Sequence, residues 1–528
     1  MRRALMTRRT TVIAACALGI AAGAFRLTTA PGPGLDPDAM SYLGAAQSLV
    51  HNGTLRIPAA PWWSDSTTAP LAHFPPGYST VLAVPIGLGA DARLAARIVQ
   101  ALSAGLTTIA VMLMLWPVAG AWGAVLGVIA IAMSPAIVVS HLSVLSEPLF
   151  LALVTLAMWS MVRRPREALH HGVIAAAATM VRYAGLSVAG AAALWALRDS
   201  SAPWRDRLKR AVYAVAPSLI AMAAWSLTRR RVPDHVESIR KFAVYGDWAP
   251  TLRQGMETVS HLLVPSLEWD PVPTLAAVGT LVALAAMAWS TTRAWDDTSP
   301  KDMSERALHE RALLVAAGLL ALCYVGLVFA SRLLADPDIP FDFRLAVPLV
   351  PLAVIAVAVV AARSWRVIAK PARVFGVLAL AVWVLTAGRT MKAQLDDIAI
   401  TGGSDFASRD WRLSPLLAWA RSTSERQVLY TNWPCAIWFH LERRVRKLPD
   451  ASEAANAATM QKFVQRLRAS NGALIAWNLQ SPETANTDTI VARAGLVRVA
   501  KFDDGAVYMA MPLPVDAPAP VAKPAVRR

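Results

Sequence analysis

The sequence predicts an α-helical polytopic membrane protein of roughly eleven membrane helices with a C-terminal soluble α/β domain. Three observations carry this. Apolar segments of bilayer-crossing length recur over most of the chain, basic residues gather in alternate loops, and the long apolar runs stop near residue 390. Of 528 residues, 55% are hydrophobic and 16% charged, with mean hydropathy +0.43, too apolar for a soluble enzyme of this length. The formal charge of +17 would suggest nucleic acid in a soluble protein. Here the excess lies in short loops between spans, where it reports topology, and no nucleic-acid-binding motif accompanies it. Cys16, Cys323 and Cys435 are dispersed, with neither a disulfide framework nor zinc spacing.

The apolar segments are 11–27, 94–118, 121–139, 148–162, 169–180, 186–197, 211–227, 273–289, 313–330, 345–362 and 374–387. The short pair 169–180 and 186–197 reads as a tight hairpin or one interrupted helix. Segment 75–88 opens on Pro75-Pro76-Gly77 and reads as a re-entrant or interfacial piece. Arg2, Arg3, Arg8 and Arg9 precede the first span, and small residues near Ala30 resemble a cleavage site. An uncleaved anchor is the preferred reading, because further spans follow.

The N-terminus and the clusters 163–166, 198–210, 294–311 and 363–373 alternate onto one side, which the positive-inside rule makes cytoplasmic. The outer side then receives 28–78, 140–147, Arg182-Tyr183, 228–271, 331–344 and everything after about 388. The expected division is a multi-span domain, 1–390, with a large first outer loop, 28–78; a soluble outer domain, 391–511; and a disordered Pro/Ala-rich tail, 512–528. In the soluble part 428–430, 473–477, 497–502 and 506–509 read as strands, and 418–422 and 452–468 as helices.

Chemistry-bearing residues collect on the outer side. Asp36 and Asp38 in LDPDAMSY follow the first span directly. Acids against a bilayer are costly and are rarely kept without a task, although Asp38, at the start of a helix running through Leu49, would also cap the free N–H groups there. Tyr42 lies four residues past Asp38, on the same helical face, as a substrate contact or an interfacial anchor. His73 precedes Phe74-Pro75-Pro76-Gly77-Tyr78 and is a weak candidate. Trp62 and Trp63 read as interfacial anchors. Glu147 in SVLSEPLF has four readings: helix cap, sugar-hydroxyl ligand, acceptor orienter, or partner of Asp38 around a divalent cation. Arg182 in MVRYAGL and Arg344 in DFRLAVPLVP suit bidentate phosphate binding; snorkelling, or an Asp342–Arg344 pair, is the plainer account. Arg229-Arg230-Arg231, Arg240 and Lys241 add positive charge on the same face, as for an anionic headgroup.

These residues, in this order, resemble the polytopic GT-C glycosyltransferases, in particular bacterial relatives of the protein O-mannosyltransferases and the lipid A aminoarabinose transferases. The likeness rests on LDPDAMSY, HFPPGYSTVLAVP, SEPLF, MVRYAGL and FRLAVPLVP, with VLYTNWPCAIWFHLERRVRKLP for the soluble part. It implies an inverting transferase that takes a polyprenyl-phosphate-linked sugar as donor and an envelope glycolipid, polysaccharide or protein as acceptor. The lack of a disulfide pattern, the Arg/Ala-rich composition and the short N-terminus fit a bacterial inner membrane, with a eukaryotic endoplasmic reticulum relative as the alternative. The resemblance implies Asp38 or Asp36 as catalytic base and Glu147 as acceptor-holding or assisting acid. Tyr42, His73, Tyr78, Arg182, Tyr183 and Arg344 would bind substrate, with a divalent cation possible at Asp38 and Glu147. The proline between the two acids departs from the family's adjacent acidic pair. A transporter or flippase would place ionisable groups in mid-span and show repeat symmetry, and neither is evident in the sequence. A non-catalytic binder or scaffold for lipid-linked glycans is the other alternative.

Overall fold

The computed structural model describes residues 2–229, 303–334, 343–365 and 370–511, with scattered positions between 244 and 258. The expected span 273–289, residues Arg230, Arg231, Arg240, Lys241 and Asp342, and the tail 512–528 lie outside the described residues. The chain divides into two compact units, one of residues 1–56 with 70–408, the other of 57–69 with 409–528.

The first unit is helical. Among the described residues five helices are long and apolar enough to cross a membrane: Thr7–Leu27, Ala92–Ala132, Trp204–Thr228, Glu305–Leu334 and Gly376–Thr401. This is an integral membrane protein. The expected segments 94–118 and 121–139 form one run, Ala92–Ala132, broken at Gly120, whose φ of 70° and ψ of −171° are open to glycine and not to a helical L-residue. The second piece also ends sooner than expected. Pro135 cannot donate into a continuing helix, so it opens a separate short one, Pro135–Leu142.

The short apolar pair is a hairpin. Helix Ala168–Val181 stops at Arg182, whose backbone is extended; a turn at Tyr183–Gly185 follows, then helix Leu186–Leu197. A Cβ on Gly185 would fall 2.2 Å from the Thr179 nitrogen, so the chain folds back on itself here. The piece after Pro75-Pro76 is an eleven-residue helix, Gly77–Gly87. Its first residue touches the hairpin: a Cβ on Gly77 would lie 2.5 Å from the Met180 carbonyl oxygen.

The second unit starts inside the first outer loop. Strand β1 (Arg56–Ile57) is followed by β2 (Ala59–Ala60) and β3 (Ala69–Pro70); the later strands are β4 (Leu429–Thr431), β5 (Val445–Lys447), β6 (Ala473–Trp477), β7 (Leu496–Phe502) and β8 (Gly505–Ala510). A six-stranded mixed sheet has the order β2-β5-β4-β6-β8-β7. The β2, β5, β4 and β6 neighbours run parallel; β8 is antiparallel to β6 and to β7. The central strand β6 is buried at every position, which suits its unbroken apolar run Ala-Leu-Ile-Ala-Trp. Edge strand β7 exposes most of its residues.

Several sequence expectations change here. The boundary expected at 390 falls inside helix Lys370–Thr401, and compactness instead separates the units at 408. The single helix expected over 452–468 is two, Ala451–Ala455 and Ala457–Ala469, because Asn456 caps the second through Ala458 N and Thr459 N. Trp62, expected as an interfacial anchor, is a core residue of the second unit, 5% exposed and edge-on to Phe463 at 5.6 Å. Its indole nitrogen donates to Glu453 Oε2 at 3.0 Å. Trp62→Ala is therefore expected to destabilise the second unit by about 3 kcal/mol or more. Thermal melting, or limited proteolysis of residues 409–511, reads this out; an unchanged profile would restore the anchor reading.

Candidate active site

The acid motif is pinned from two sides by backbone pairing. Gly34 N donates to the Leu142 carbonyl at 2.8 Å, and Val144 N donates to the Gly34 carbonyl at 2.9 Å. Leu35 N donates to the Ser404 carbonyl at 3.4 Å, and Phe406 N donates to the Leu35 carbonyl at 3.1 Å. Residues 34–35 thus lie between the segment before Glu147 and the segment after the last long helix. Gly34 permits this approach, since a Cβ there would fall 2.5 Å from Ser143 Oγ. Gln100, buried in a span, donates through Nε2 to the Ser143 and Leu145 carbonyls at 2.6 and 3.1 Å, holding the second segment in place.

The next residues form helix Pro37–Asn52. Asp36, not Asp38, is its cap: its side chain accepts from Ala39 N at 3.2 Å, and Pro37 takes the first helical position. Asp38 therefore sits in the first turn, where its carboxylate is released from capping. The helix ends at Gly53, in the left-handed region with φ 66°.

Arg344 joins the acids. Its Nε donates to Glu147 Oε1 at 2.9 Å and its Nη2 to Asp38 Oδ2 at 2.8 Å, while Nη1 lies 3.5 Å from Asp36 Oδ2. Arg182 Nη1 reaches Glu147 Oε1 at 2.8 Å and Ser146 Oγ at 3.0 Å. Glu147 is 1% exposed, so its charge is tolerable only because two guanidiniums face it. Asp38 is 29% exposed, Arg344 26% and Arg182 21%. The open edge of the cluster thus carries one carboxylate and two guanidinium groups. Burial, with Asp38 beside it, pushes the Asp36 carboxyl well above the usual carboxylate range, against the pull of Arg344.

The aromatic candidates are less accessible. Tyr42 is buried, with its hydroxyl 3.3 Å from Ser146 Oγ and its ring 4.7 Å from Phe74 and 4.9 Å from Tyr78. Tyr78 is fully buried behind it. Both shape the wall of the site. His73 packs on Phe74 at 4.6 Å, one ring further out. The Tyr183 hydroxyl accepts from Trp225 Nε1 at 3.2 Å. In this structure the facing oxygens of Asp38 and Glu147 are both held by Arg344, so a divalent cation between them would have to displace it. Among the described residues no group of three ligating side chains is assembled.

Two contributors, Gln100 and Asp405, escape a reading of the sequence by motif. Ser146 lies in SEPLF, where it reads as a helix cap; its side chain makes no cap hydrogen bond and is instead a hub between Tyr42, Arg182 and Glu147. Gln100 had one signal, an amide inside an apolar span. Asp405 follows Gly402-Gly403, more than fifty residues beyond Arg344 in sequence, and pairs in parallel with Leu35.

No family profile and no curated protein matches the chain. Solved structures do. ArnT from Cupriavidus metallidurans, in a crystal structure bound to undecaprenyl phosphate, aligns with TM-score 0.59 and 15% identity over 95% of this chain and 98% of that one. Its apo form gives 0.58 at 15% identity, over 96% and 98%. The Archaeoglobus fulgidus oligosaccharyltransferase tethered to an acceptor peptide gives 0.47 at 12% identity, over 96% of this chain and 75% of that one. The arabinofuranosyltransferase AftD from Mycobacteria also gives 0.47, at 16% identity, over 93% and 41%. The chain shares the fold of the two Cupriavidus ArnT structures.

Two expectations follow from the geometry. Glu147→Ala should destabilise the first unit by about 3–5 kcal/mol, because two guanidiniums would lose their buried partner. Thermal unfolding in detergent measures this. The raised Asp36 group has a definite sign: between the ordinary carboxylate value and its own higher one, the folded state holds a proton that the unfolded chain has released. Stability from this source is present below about pH 4 and is lost as pH rises through the folded value. Melting temperature against pH should show that decline, and Asp36→Asn should remove it.

Proposed function

We propose that this protein is an inverting glycosyltransferase that moves a sugar from a polyprenyl-phosphate donor to a hydroxyl of an envelope acceptor: glycolipid, polysaccharide or protein. The single observation behind this is the Arg344 fork, which touches Asp38 and Glu147 and approaches Asp36 at a partly open edge. A phosphate-binding group and a candidate base are thereby held at one place.

Asp38 is the base in this reading, since it is the most exposed of the three acids and is free of capping. In the empty site Arg344 neutralises it. An arriving donor phosphate competes for the same guanidinium, and as Arg344 turns to phosphate, Asp38 Oδ2 is released. The acceptor O–H then gives its proton to Asp38 as its oxygen attacks the sugar's anomeric carbon. The C–O bond to phosphate breaks on the opposite face, and the electron pair leaves with polyprenyl phosphate, whose charge Arg344 and Arg182 stabilise. Glu147 keeps the two arginines aimed. Asp36 caps the helix that carries Asp38. Tyr42 and Tyr78 form the wall, and His73 is left as a peripheral contact.

The pattern of basic loops supports an outward-facing site and a cytoplasmic N-terminus, and the Arg/Ala-rich composition without a disulfide pattern supports the bacterial inner membrane as location. The second unit would then be periplasmic and available for acceptor selection. The undecaprenyl phosphate in the Cupriavidus ArnT structure supports a polyprenyl-phosphate donor by analogy of fold.

The test is sugar transfer by purified protein with a panel of labelled polyprenyl-phosphate sugars and crude envelope acceptor. Asp38→Asn is expected to lower kcat by about 10²–10⁴-fold while polyprenyl phosphate still binds. Full activity in the Asp36→Asn, Asp38→Asn double variant would refute the mechanism. Phosphate binding without turnover of any donor would favour a binding or scaffold protein.

A further inference from the structure

The second unit carries a concavity of its own, of about 570 Å³, lined from helix Ala457–Ala469 and helix Thr487–Ala494. That volume lies within the range of roughly 300–1,000 Å³ usual for ligand sites. Its floor is apolar. Met460 is a core residue, 2% exposed, and Val464 packs against the same core. Gln461, Gln465 and Arg468 line it from the first helix, where spacings of four and three residues place them on one face. Arg493 comes from the second helix.

These polar side chains are not used up by the fold. Gln461, Gln465 and Arg468 are exposed, and their side chains make no hydrogen bond or ion pair among the described residues. Arg493 is anchored once: its Nη1 donates to the Ala454 carbonyl at 2.7 Å. That bond satisfies a carbonyl at the end of helix Ala451–Ala455 and leaves the other N–H groups of the guanidinium for a ligand. Among the described residues no Asp or Glu lines the concavity.

Two guanidiniums with no facing acid suit an anion. From Gln461 to Arg468 the helix rises roughly 10 Å, more than one carboxylate or phosphate group would span. The ligand is therefore extended and carries more than a single charge. Each glutamine amide both donates and accepts, which matches hydroxyl groups. The shallow floor of Met460 and Val464 gives apolar contact to the C–H face of a ring. We infer that this groove binds an anionic oligosaccharide, with its acid groups on Arg468 and Arg493 and its hydroxyls on Gln461 and Gln465. The inference deepens the transferase reading, which would make this glycan the acceptor; it rests on that reading for its meaning, but binding tests it without turnover.

The experiment measures calorimetric binding of tetragalacturonate to the purified full chain in detergent, at low and high salt. Uncharged maltotetraose and a tetraglutamate peptide are the controls. Tetragalacturonate is expected to bind more tightly than either control, and Arg468→Gln to weaken it about two- to fivefold at low salt, less so as salt is added. Gln461→Ala with Gln465→Ala should weaken it as well, with the salt dependence kept. Both variants alter an exposed helix face, so an unchanged melting temperature separates lost binding from lost fold. Tetraglutamate binding as tightly would assign an acidic peptide and overturn the inference. Maltotetraose binding as tightly, no binding of tetragalacturonate, or full binding in both variants would overturn it too. A protein that binds tetragalacturonate as expected but transfers no sugar refutes the transferase reading alone, and one that transfers sugar without binding it refutes this inference alone.

Discussion

One guanidinium organises the acid cluster of the helical unit. Arg344 lies just before the last but one apolar segment in the sequence, Glu147 starts another helix, and the two aspartates follow the first span. Three separate parts of the chain become one structure because each acid needs a counter-charge where water is scarce. Without Arg344, Glu147 would keep only Arg182, and Asp36 and Asp38 would repel each other across one proline. The main-chain bonds of Gly34 and Leu35 set the distance; Arg344 makes that distance tolerable.

In this structure both arginines are occupied by carboxylates, Arg344 by Asp38 and Glu147 and Arg182 by Glu147. Ser146, itself beside the buried Tyr42 hydroxyl, fixes the direction of Arg182 while leaving its edge partly open.

The two units were unequally legible. Apolar runs, basic loops and proline breaks gave the helical unit, because the bilayer imposes long-wavelength patterns that survive without any partner. Strand β6 was readable for a similar reason: a fully buried strand is an unbroken apolar run. Strand β2 and Trp62 were not readable as parts of the second unit, because a short excursion from the first outer loop carries no local sign of the sheet it joins. Two-residue strands have no periodicity to detect, and a tryptophan in an outer loop looks the same as a membrane anchor.

At the site, the sequence by itself determined which residue types stand at the ends of apolar segments: Asp36, Asp38, Glu147, Arg182 and Arg344 all follow from position beside an apolar run. It also determined that these acids need a reason to be there, since an ionised group at a bilayer edge is expensive. Only the tertiary structure decided which acid caps the helix, which faces the arginine and which other residues join them. A cap depends on one residue's shift in helix start. The Arg344 contacts depend on segments about two hundred to three hundred residues away. Asp405 enters through a main-chain pairing with Leu35 that no side-chain pattern encodes. Local sequence specifies the chemistry available, and long-range packing selects which of it meets.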